Sequence, residues 1–359
     1  MSDFIMKDTD QQMSDKCIND NTAWQHKLLN SANKFLHWVI TLDTYDGSEK
    51  IYTHMTETSN YVFFFGGTLR TVTKSRLYSV LVFCSLIVPL ALFSIFECRH
   101  LWYHSHGLHL RTLIIVFYYF NLLTASSFFR AACSDPGVVS RNVHMPGMAI
   151  AYQIPREYYN HVILPSENQS AVITMKYCQT CRIWRPPRSS HCPVCDVCVL
   201  THDHHCIWLG NCIGQRNYRF FIAFLISSII ACLLQVALSA IRLSNVTHPS
   251  KAPVSILLIC YCGLGVQYPL ILFLYHIFLT GTQQTTHEYL RSIGSKNPIF
   301  QKITRDRNSP YDRGSFFKNL IHLMFQERGW ILVDPTKRQR YPRDVRFQRI
   351  PEAHTMENI

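Results

Sequence analysis

Thiols and imidazoles crowd one stretch of this chain. Residues 178–212 read CQTCRIWRPPRSSHCPVCDVCVLTHDHHCIWLGNC and hold seven of the fourteen cysteines and four of the eighteen histidines. Cys178, Cys181, His191 and Cys198 recur fourteen residues later as Cys192, Cys195, His205 and Cys212. Each set spells C-x2-C-x9-H-x6-C, three thiolates and one imidazole, which is a donor set for tetrahedral zinc. The pattern predicts two structural Zn2+ ions held in interleaved sets. Asp203, His204 and Cys206 remain outside both sets. Cys206 lies fourteen residues after Cys192, but Leu209 stands where a further C-x2-C pair needs its second cysteine.

That remainder has the makings of a nucleophilic site. A free thiol titrates near ~8.5 and is mostly protonated at neutral pH. A nearby imidazole and positive surroundings favour the thiolate, and a carboxylate can orient the ring. In extended backbone His204 and Cys206 share one face, while Asp203 and His205 share the other. The alternation separates a histidine for zinc from a histidine for catalysis.

A module of this size has too little core to fold unaided, so the metals supply much of its folding free energy. The rest of the chain must hold it. Charged residues make up 16% of the sequence and hydrophobic ones 48%, with the apolar residues gathered in blocks. Blocks at 78–96, 112–129, 220–241 and 253–280 are long enough to cross a bilayer core of about 30 Å, which takes ~20 helical residues. They are apolar on all sides, which argues against four buried helices of a soluble protein. The predicted fold class is an α-helical polytopic membrane protein. Its Cys-rich double-zinc domain is cytosolic and lies between helices 2 and 3.

The net charge of +12 supports that orientation. Arg70, Lys74 and Arg76 precede the first span, whereas the two short connectors hold only Arg99, Arg111, Arg242 and Lys251. The positive-inside rule therefore puts both termini and the Cys-rich stretch in the cytosol. That compartment is reducing, so metal ligands or nucleophiles are favoured over disulfides. The first span starts too far in for a cleavable signal peptide and is read as a signal anchor.

In chain order, residues 1–59 are expected to be largely disordered and cytosolic, with Phe35–Ile40 as one apolar patch. An interfacial segment follows at 60–77, then spans 1–2 over 78–132. Pro89 predicts a kink in the first span. The connector 97–111 carries His100, His104, His106 and His109, read as a polar lumenal loop rather than a metal site. The cytosolic region 133–219 opens with the turn Ser134-Asp135-Pro136-Gly137 and an irregular lead-in over 138–177. The sequon at Asn168 lies on the cytosolic side and is discounted. Spans 3–4 occupy 220–280; Ser227, Ser228 and Ala231 suggest close helix packing, and Gly263, Gly265 and Pro269 a bend. The cytosolic region 281–359 begins with Thr285-Thr286-His287-Glu288, a candidate helix cap or contact with the catalytic module. It ends in Lys337, Arg338, Arg340, Arg343, Arg346 and Arg349, suited to anionic membrane lipids rather than nucleic acid.

Asp203-His204-His205-Cys206 within this cysteine pattern resembles the DHHC family of protein S-acyltransferases, the palmitoyltransferases. The likeness extends over the four spans, the Asp135-Pro136-Gly137 turn and the Thr285–Glu288 element. It implies zinc ligation by the two repeat sets. It also implies that Cys206, served by His204 and Asp203, takes an acyl group from palmitoyl-CoA and passes it to a cysteine of a membrane-associated protein. Trp208 matches a tryptophan near the family's acyl cavity. Arg182, Arg185, Arg188, Arg216 and Arg219 are candidate contacts for the CoA phosphates, because guanidinium pairs bidentately with them. Three features depart from the family pattern. Ile207 replaces the usual proline, Gly210 stands where asparagine is common, and Ser309 is extra in the C-terminal asparagine motif. Ile207 and the FFFGGTLR segment look most like the fungal Ras-palmitoylating branch. That likeness implies a Ras-type lipidated substrate, a small accessory subunit and residence in the endoplasmic reticulum, with the Golgi as the alternative.

Two other readings compete. A non-catalytic zinc adaptor, such as a membrane-bound ubiquitin-ligase-like module, explains the eight ligands but gives Asp203, His204 and Cys206 no role. A thiol oxidoreductase built on the C-x2-C pairs does not explain why those pairs recur in complete four-ligand sets.

Overall fold

The computed structural model describes residues 50–73, 76–104, 108–141, 159–164, 171–294, 311–325, 329 and 331–337. Phe35–Ile40, His106, Asn168, Ser309 and the basic run from Arg338 onward lie outside the described residues.

Four helices are long and apolar enough to cross a membrane: Leu77–Tyr103, His109–Cys133, Tyr218–Ser244 and Pro253–Gly281. Much of their apolar surface faces outward; only 6% of the apolar window of the first helix is buried within the protein. Such a surface belongs in hydrocarbon. The chain is a multi-pass membrane protein.

The first span is regular over Arg76–Leu92, continues as a π-helical stretch over Phe93–Cys98, and closes with Arg99–His104. Pro89 has no N–H for the carbonyl of Ser85, one turn earlier. The Tyr261 hydroxyl of span four donates to that carbonyl instead, at 2.9 Å. Near the far end of the span Ser239 Oγ donates to Glu97 Oε2 at 2.7 Å, and Gln235 Nε2 donates to Ser239 Oγ at 3.1 Å. The expected loop at 97–111 is corrected here: Glu97, His100 and His104 are helical, and the second span starts at Leu108. Hydrophobic positions such as Leu101 keep the helical period and bury against Phe93, Ile114 and Phe117.

Spans two and three pack along their length, with Ser227, Ser228 and Ala231 buried, as their small side chains allow. Span four is two helices, Pro253–Gly265 and Gln267–Gly281, meeting at Val266. The break falls where Pro269 cannot donate to the carbonyl of Gly265. Past Gly281 the short helix Thr286–Gly294 turns back to the Cys-rich module. The helix Phe316–Phe325 closes on the end of span four. Its Phe316 ring lies so near Gly281 that a Cβ there would overlap it. Asn319 Nδ2 donates to the Gly281 carbonyl at 2.8 Å and to Asp312 Oδ1 at 2.9 Å.

Strands β1 (Tyr61–Phe64) and β2 (Leu69–Val72) form a hairpin in register Tyr61↔Val72. A helix, Ile51–Thr58, precedes it where disorder was expected. Tyr52 and Met55 of that helix, and Tyr61, Phe63 and Val72 of the hairpin, bury against Cys192, Cys195 and Cys212. That burial orders an otherwise polar segment. The hairpin also hydrogen-bonds the module directly, from Asn60 Nδ2 to the Val194 carbonyl at 2.9 Å.

The lead-in at 138–177 is likewise more regular than expected. Strand β3 (Val138–Val139) pairs with β8 (Val197–Val199), and β4 (Tyr159–Leu164) pairs antiparallel with β5 (Ala171–Cys178), which continues to β6 (Ile183–Trp184). Two further hairpins complete the module: β7 (Ser190–Cys192) with β8, and β9 (His204–Cys206) with β10 (Asn211–Ile213). The fourteen-residue repeat is therefore a repeat of hairpin turns. Cys178, Cys192 and Cys206 each end a strand before such a turn. Four residues on, Arg182, Asp196 and Gly210 all have positive φ, at 51°, 56° and 62°.

Candidate active site and metal centres

The hairpins assemble the two ligand sets in relay. In β7–β8, His191 lies directly opposite Cys198, and in β9–β10, His205 lies opposite Cys212. Opposed residues share a face of the ladder, so each hairpin offers an imidazole and a thiol to one point. Cys178 and Cys181, from the preceding turn, complete the first set; Cys192 and Cys195 complete the second. In each set the four donor atoms lie within 4.8 Å of one another. His191 Nδ1 lies 3.4 Å from Cys181 Sγ, and His205 Nδ1 lies 3.3 Å from Cys195 Sγ. All six thiols are buried.

Hydrogen bonds from Cys181 and Cys198 hold the Cys178 thiol far below its ordinary range, and those from Cys195 and Cys212 do the same for Cys192. Three sulfurs, one of them a thiolate, and one nitrogen in a closed, buried set fit a tetrahedral metal ion. Behind the first set, His191 Nε2 lies 3.5 Å from Asp196 Oδ1, and Arg141 pairs with Asp196 at 2.7 Å. A carboxylate on the outer nitrogen fixes the tautomer in which Nδ1 faces the metal.

Alternation along β9 turns His204 and Cys206 away from the ligand set that His205 joins. Asp203 departs from the alternation: it lies just before the strand, and its carboxylate turns to His204 rather than sharing the His205 side. Asp203 Oδ2 accepts from His204 Nδ1 at 2.7 Å. Thr286 fills the rest of that carboxylate, with its N–H on Oδ1 at 2.8 Å and its hydroxyl on Oδ2 at 2.7 Å. The Asp203 backbone is pinned as well, donating to the Ile213 carbonyl at 2.9 Å and accepting from His287 N at 3.1 Å.

Burial disfavours an ionised Asp203, but His204 and Thr286 outweigh it and hold the carboxyl down to about 2. Burial also opposes charging His204, yet its hydrogen bonds to Asp203 and Cys206 push the imidazole up to about 10. Cys206 is 7% exposed and packs with Leu209, Ile213 and Phe221 at the membrane end of the module. A thiol thus shares one face of β9 with an imidazole whose Nδ1 is fixed by a buried carboxylate. This is the arrangement of an activated nucleophile.

Two buried asparagines tie the site to the spans. Asn211 Nδ2 donates to the Ser134 carbonyl at 2.8 Å, and Asn217 Nδ2 donates to the Ala131 carbonyl at 3.1 Å, satisfying acceptors left at the end of span two. Asp135, the acid of the sequence's turn signature, caps Gly137 and Val138 and lies between Arg70 at 3.4 Å and Arg216 at 3.2 Å.

The five arginines proposed for CoA do not share one environment. Arg188 is engaged within the chain, bidentate on Glu288 at 2.8 and 2.9 Å and stacked over Tyr311. Arg216 pairs with Asp135 and donates to the Gly329 carbonyl. Both therefore contribute to the frame. Arg185, with Lys176, His287 and Arg291, lines a basic cavity of about 190 Å3, and among the described residues its buried Nε has no hydrogen-bond partner. Arg219 lies over the Phe220 ring at 5.7 Å, and Arg182 sits in the first turn. Trp208 is 41% exposed, edge-on to Tyr78 of span one at 5.8 Å and to Tyr268 of span four at 6.4 Å. Gly210 at φ 62° accounts for its departure from the usual asparagine, since both residues tolerate the left-handed region.

The contact with the catalytic module expected of Thr285–Glu288 is made by Thr286 on Asp203; Asn211 and His276 also belong to the site but are not legible as such from local spacing. The signal for His276 is a histidine inside an otherwise apolar span.

The chain matches the model of the DHHC palmitoyltransferase family over residues 171–293. It is 66% identical over 326 residues to "Palmitoyltransferase ERF2" of Kluyveromyces lactis, a match covering 91% of this chain and 92% of that protein. The protein of the same name from Saccharomyces cerevisiae is 47% identical over 332 residues, with 90% and 91% covered. That from Schizosaccharomyces pombe is 31% identical over 293 residues, with 78% and 80% covered.

Proposed function

The chain belongs to the DHHC palmitoyltransferase family, and we propose that Cys206 carries the acyl group in the reaction it catalyses. The enzyme is a protein S-palmitoyltransferase. In the first half-reaction the Cys206 thiolate, paired with protonated His204, attacks the thioester carbonyl of palmitoyl-CoA. A new C–S bond forms, the bond to CoA sulfur breaks, and the CoA thiolate takes the His204 proton. In the second, His204 accepts the proton of a substrate cysteine thiol as that sulfur attacks acyl-Cys206. The thiolate and imidazolium are regenerated. Both steps exchange one thioester for another, so the chemistry is close to neutral and the protein's contribution is placement and a competent thiolate. Asp203 orients His204 and Thr286 orients Asp203.

The observation that carries this reading is the 2.7 Å contact of His204 Nδ1 with a fully partnered Asp203 carboxylate, on an imidazole that shares one face of β9 with Cys206. An adaptor has no use for that arrangement. Purified protein incubated with labelled palmitoyl-CoA is expected to acquire hydroxylamine-sensitive label that Cys206→Ala lacks. Undiminished label in Cys206→Ala would refute the assignment.

The two ligand sets would hold Zn2+, whose part is to fold the module. Arg185 and the basic cavity it lines suit CoA phosphates, with Arg182 and Arg219 as further candidates. Trp208, between Tyr78 and Tyr268, suits the start of an acyl path into the bilayer. Likeness to the ERF2 palmitoyltransferases supports a Ras-type lipidated substrate, a small accessory subunit and an endoplasmic reticulum location. The distribution of positive charge supports cytosolic termini.

A further inference from the structure

This inference rests on reading Asp203, His204 and Cys206 as the acyl-transfer site. His276 lies in span four, 1% exposed. An ionisable side chain at such a position is costly and marks a function by default. Its Nδ1 is 2.9 Å from the Tyr218 hydroxyl, which is 3.2 Å from Thr280 Oγ1. On its other side the ring meets His204, with centroids 5.9 Å apart and the planes tilted by 38°. Phe221 completes a three-ring contact, edge-on to His276 at 4.9 Å and to His204 at 5.5 Å.

Asp203, His204 and His276 each offer a donor atom within 4.8 Å of the others, so a third metal site has to be weighed. The hydrogen bonds argue against it. Both Asp203 oxygens already accept from Thr286, one of them from His204 too, and His276 Nδ1 already meets Tyr218. A cation would have to displace partners that are in place. The cluster is better read as a brace. The bond to Asp203 fixes one point of the His204 ring but leaves rotation about it. Phe221 and His276 against the ring restrict that rotation and hold it on the strand face it shares with Cys206.

We propose that His276, held by Tyr218, is a positioning residue that sets the plane of the His204 imidazole. Tyr218 closes the chain: it opens span three directly after the Cys-rich module, so the module's attachment to the membrane helices also fixes the catalytic ring.

The test is single-turnover acylation of Cys206 by labelled palmitoyl-CoA in the purified full-length protein, followed for hours so that slow variants are quantified. His276→Phe, which keeps a ring but loses the bond to Tyr218, is expected to slow acylation by about tenfold, the scale of a lost orienting hydrogen bond. Half-saturating palmitoyl-CoA should stay within about twofold. Tyr218→Phe should act in the same direction, and the double variant should be no slower than the worse single one. The decisive background is His204→Ala, in which adding His276→Phe should change nothing. An equal loss in both backgrounds, or a wild-type rate for His276→Phe, overturns the proposal. Metal content and melting temperature separate misfolding from a positioning defect. If Cys206→Ala still takes label, the underlying site assignment is what fails.

Discussion

Thr286 and Asp203, 83 residues apart in the chain, meet through two hydrogen bonds on opposite oxygens of one carboxylate, at 2.8 and 2.7 Å. The first residues beyond the last span thereby set the geometry of an acid supplied by the Cys-rich module. Thr286→Ala keeps the backbone bond and deletes the hydroxyl. A hydrogen bond to a buried charge contributes roughly 1.5–3 kcal/mol, so acylation of Cys206 is expected to fall by about 10- to 100-fold. Thr286→Ser should recover most of the rate. Equal rates for Ala and Ser variants would detach the hydroxyl from catalysis.

Asp203→Asn should act through pH. With Asp203 and Cys206 as partners His204 is held up to about 10 despite burial, so its proton, and the ion pair it makes, are present below that value and lost as pH rises through it. Without the carboxylate the alkaline limb of the acylation profile should move toward the ordinary imidazole range. The rate at neutral pH should drop by about 10^2- to 10^4-fold, as when the orienting acid of a catalytic triad is lost. Profiles measured from pH 6 to 10 at saturating palmitoyl-CoA provide the check; a lower rate with an unmoved limb would contradict it.

Metal content should distinguish the eight ligands from the nucleophile. In zinc-finger peptides the binding of structural zinc contributes about 10–16 kcal/mol to folding. Cys195→Ser is expected to lose zinc from the second set, destabilise the packed β1–β2 hairpin and abolish labelling. Cys206→Ser should keep two equivalents of zinc and a wild-type melting temperature while losing the label. Elemental analysis of purified variants reads this directly.

The proline in span one supplies a stability test. Tyr261 donates to the Ser85 carbonyl that Pro89 leaves unpaired. Tyr261→Phe should therefore destabilise by about 1–3 kcal/mol, the cost of an acceptor left unpaired where the surroundings are hydrocarbon rather than water. In a Pro89→Ala background the helix can supply its own donor, and the same substitution should become close to neutral. Melting curves of the four proteins in one detergent give the coupling.

What could be read in the sequence was what short-range spacing encodes. The metal ligands repeat at a fixed offset, the spans announce themselves by length and hydropathy, and His204 and Cys206 separate from His205 by strand alternation. Asp203 breaks that alternation because Thr286 reaches it from another element; the Thr285–Glu288 element is legible as a contact with the module, but no local pattern names Asp203 as its partner. The same limit applies to Arg188 and Arg216. As lone arginines in a basic stretch they look free for phosphate, but Glu288 and Asp135, distant in sequence, engage them. Residues 97–104 look like a polar connector by their histidines, whereas burial of Leu101 against Ile114 and Phe117 extends the helix.

The three turns following Cys178, Cys192 and Cys206 share a left-handed residue at the same step, Arg182, Asp196 and Gly210. In two of them a second cysteine completes a metal-binding knuckle, and in the third Leu209 is buried in its place. Cys206 is thus built as the opening ligand of a third cluster that the chain never finishes. On the proposed assignment of Cys206, a turn suited to presenting a thiolate to a cation would present it to a carbonyl carbon instead, and scaffold and nucleophile would share one architectural plan.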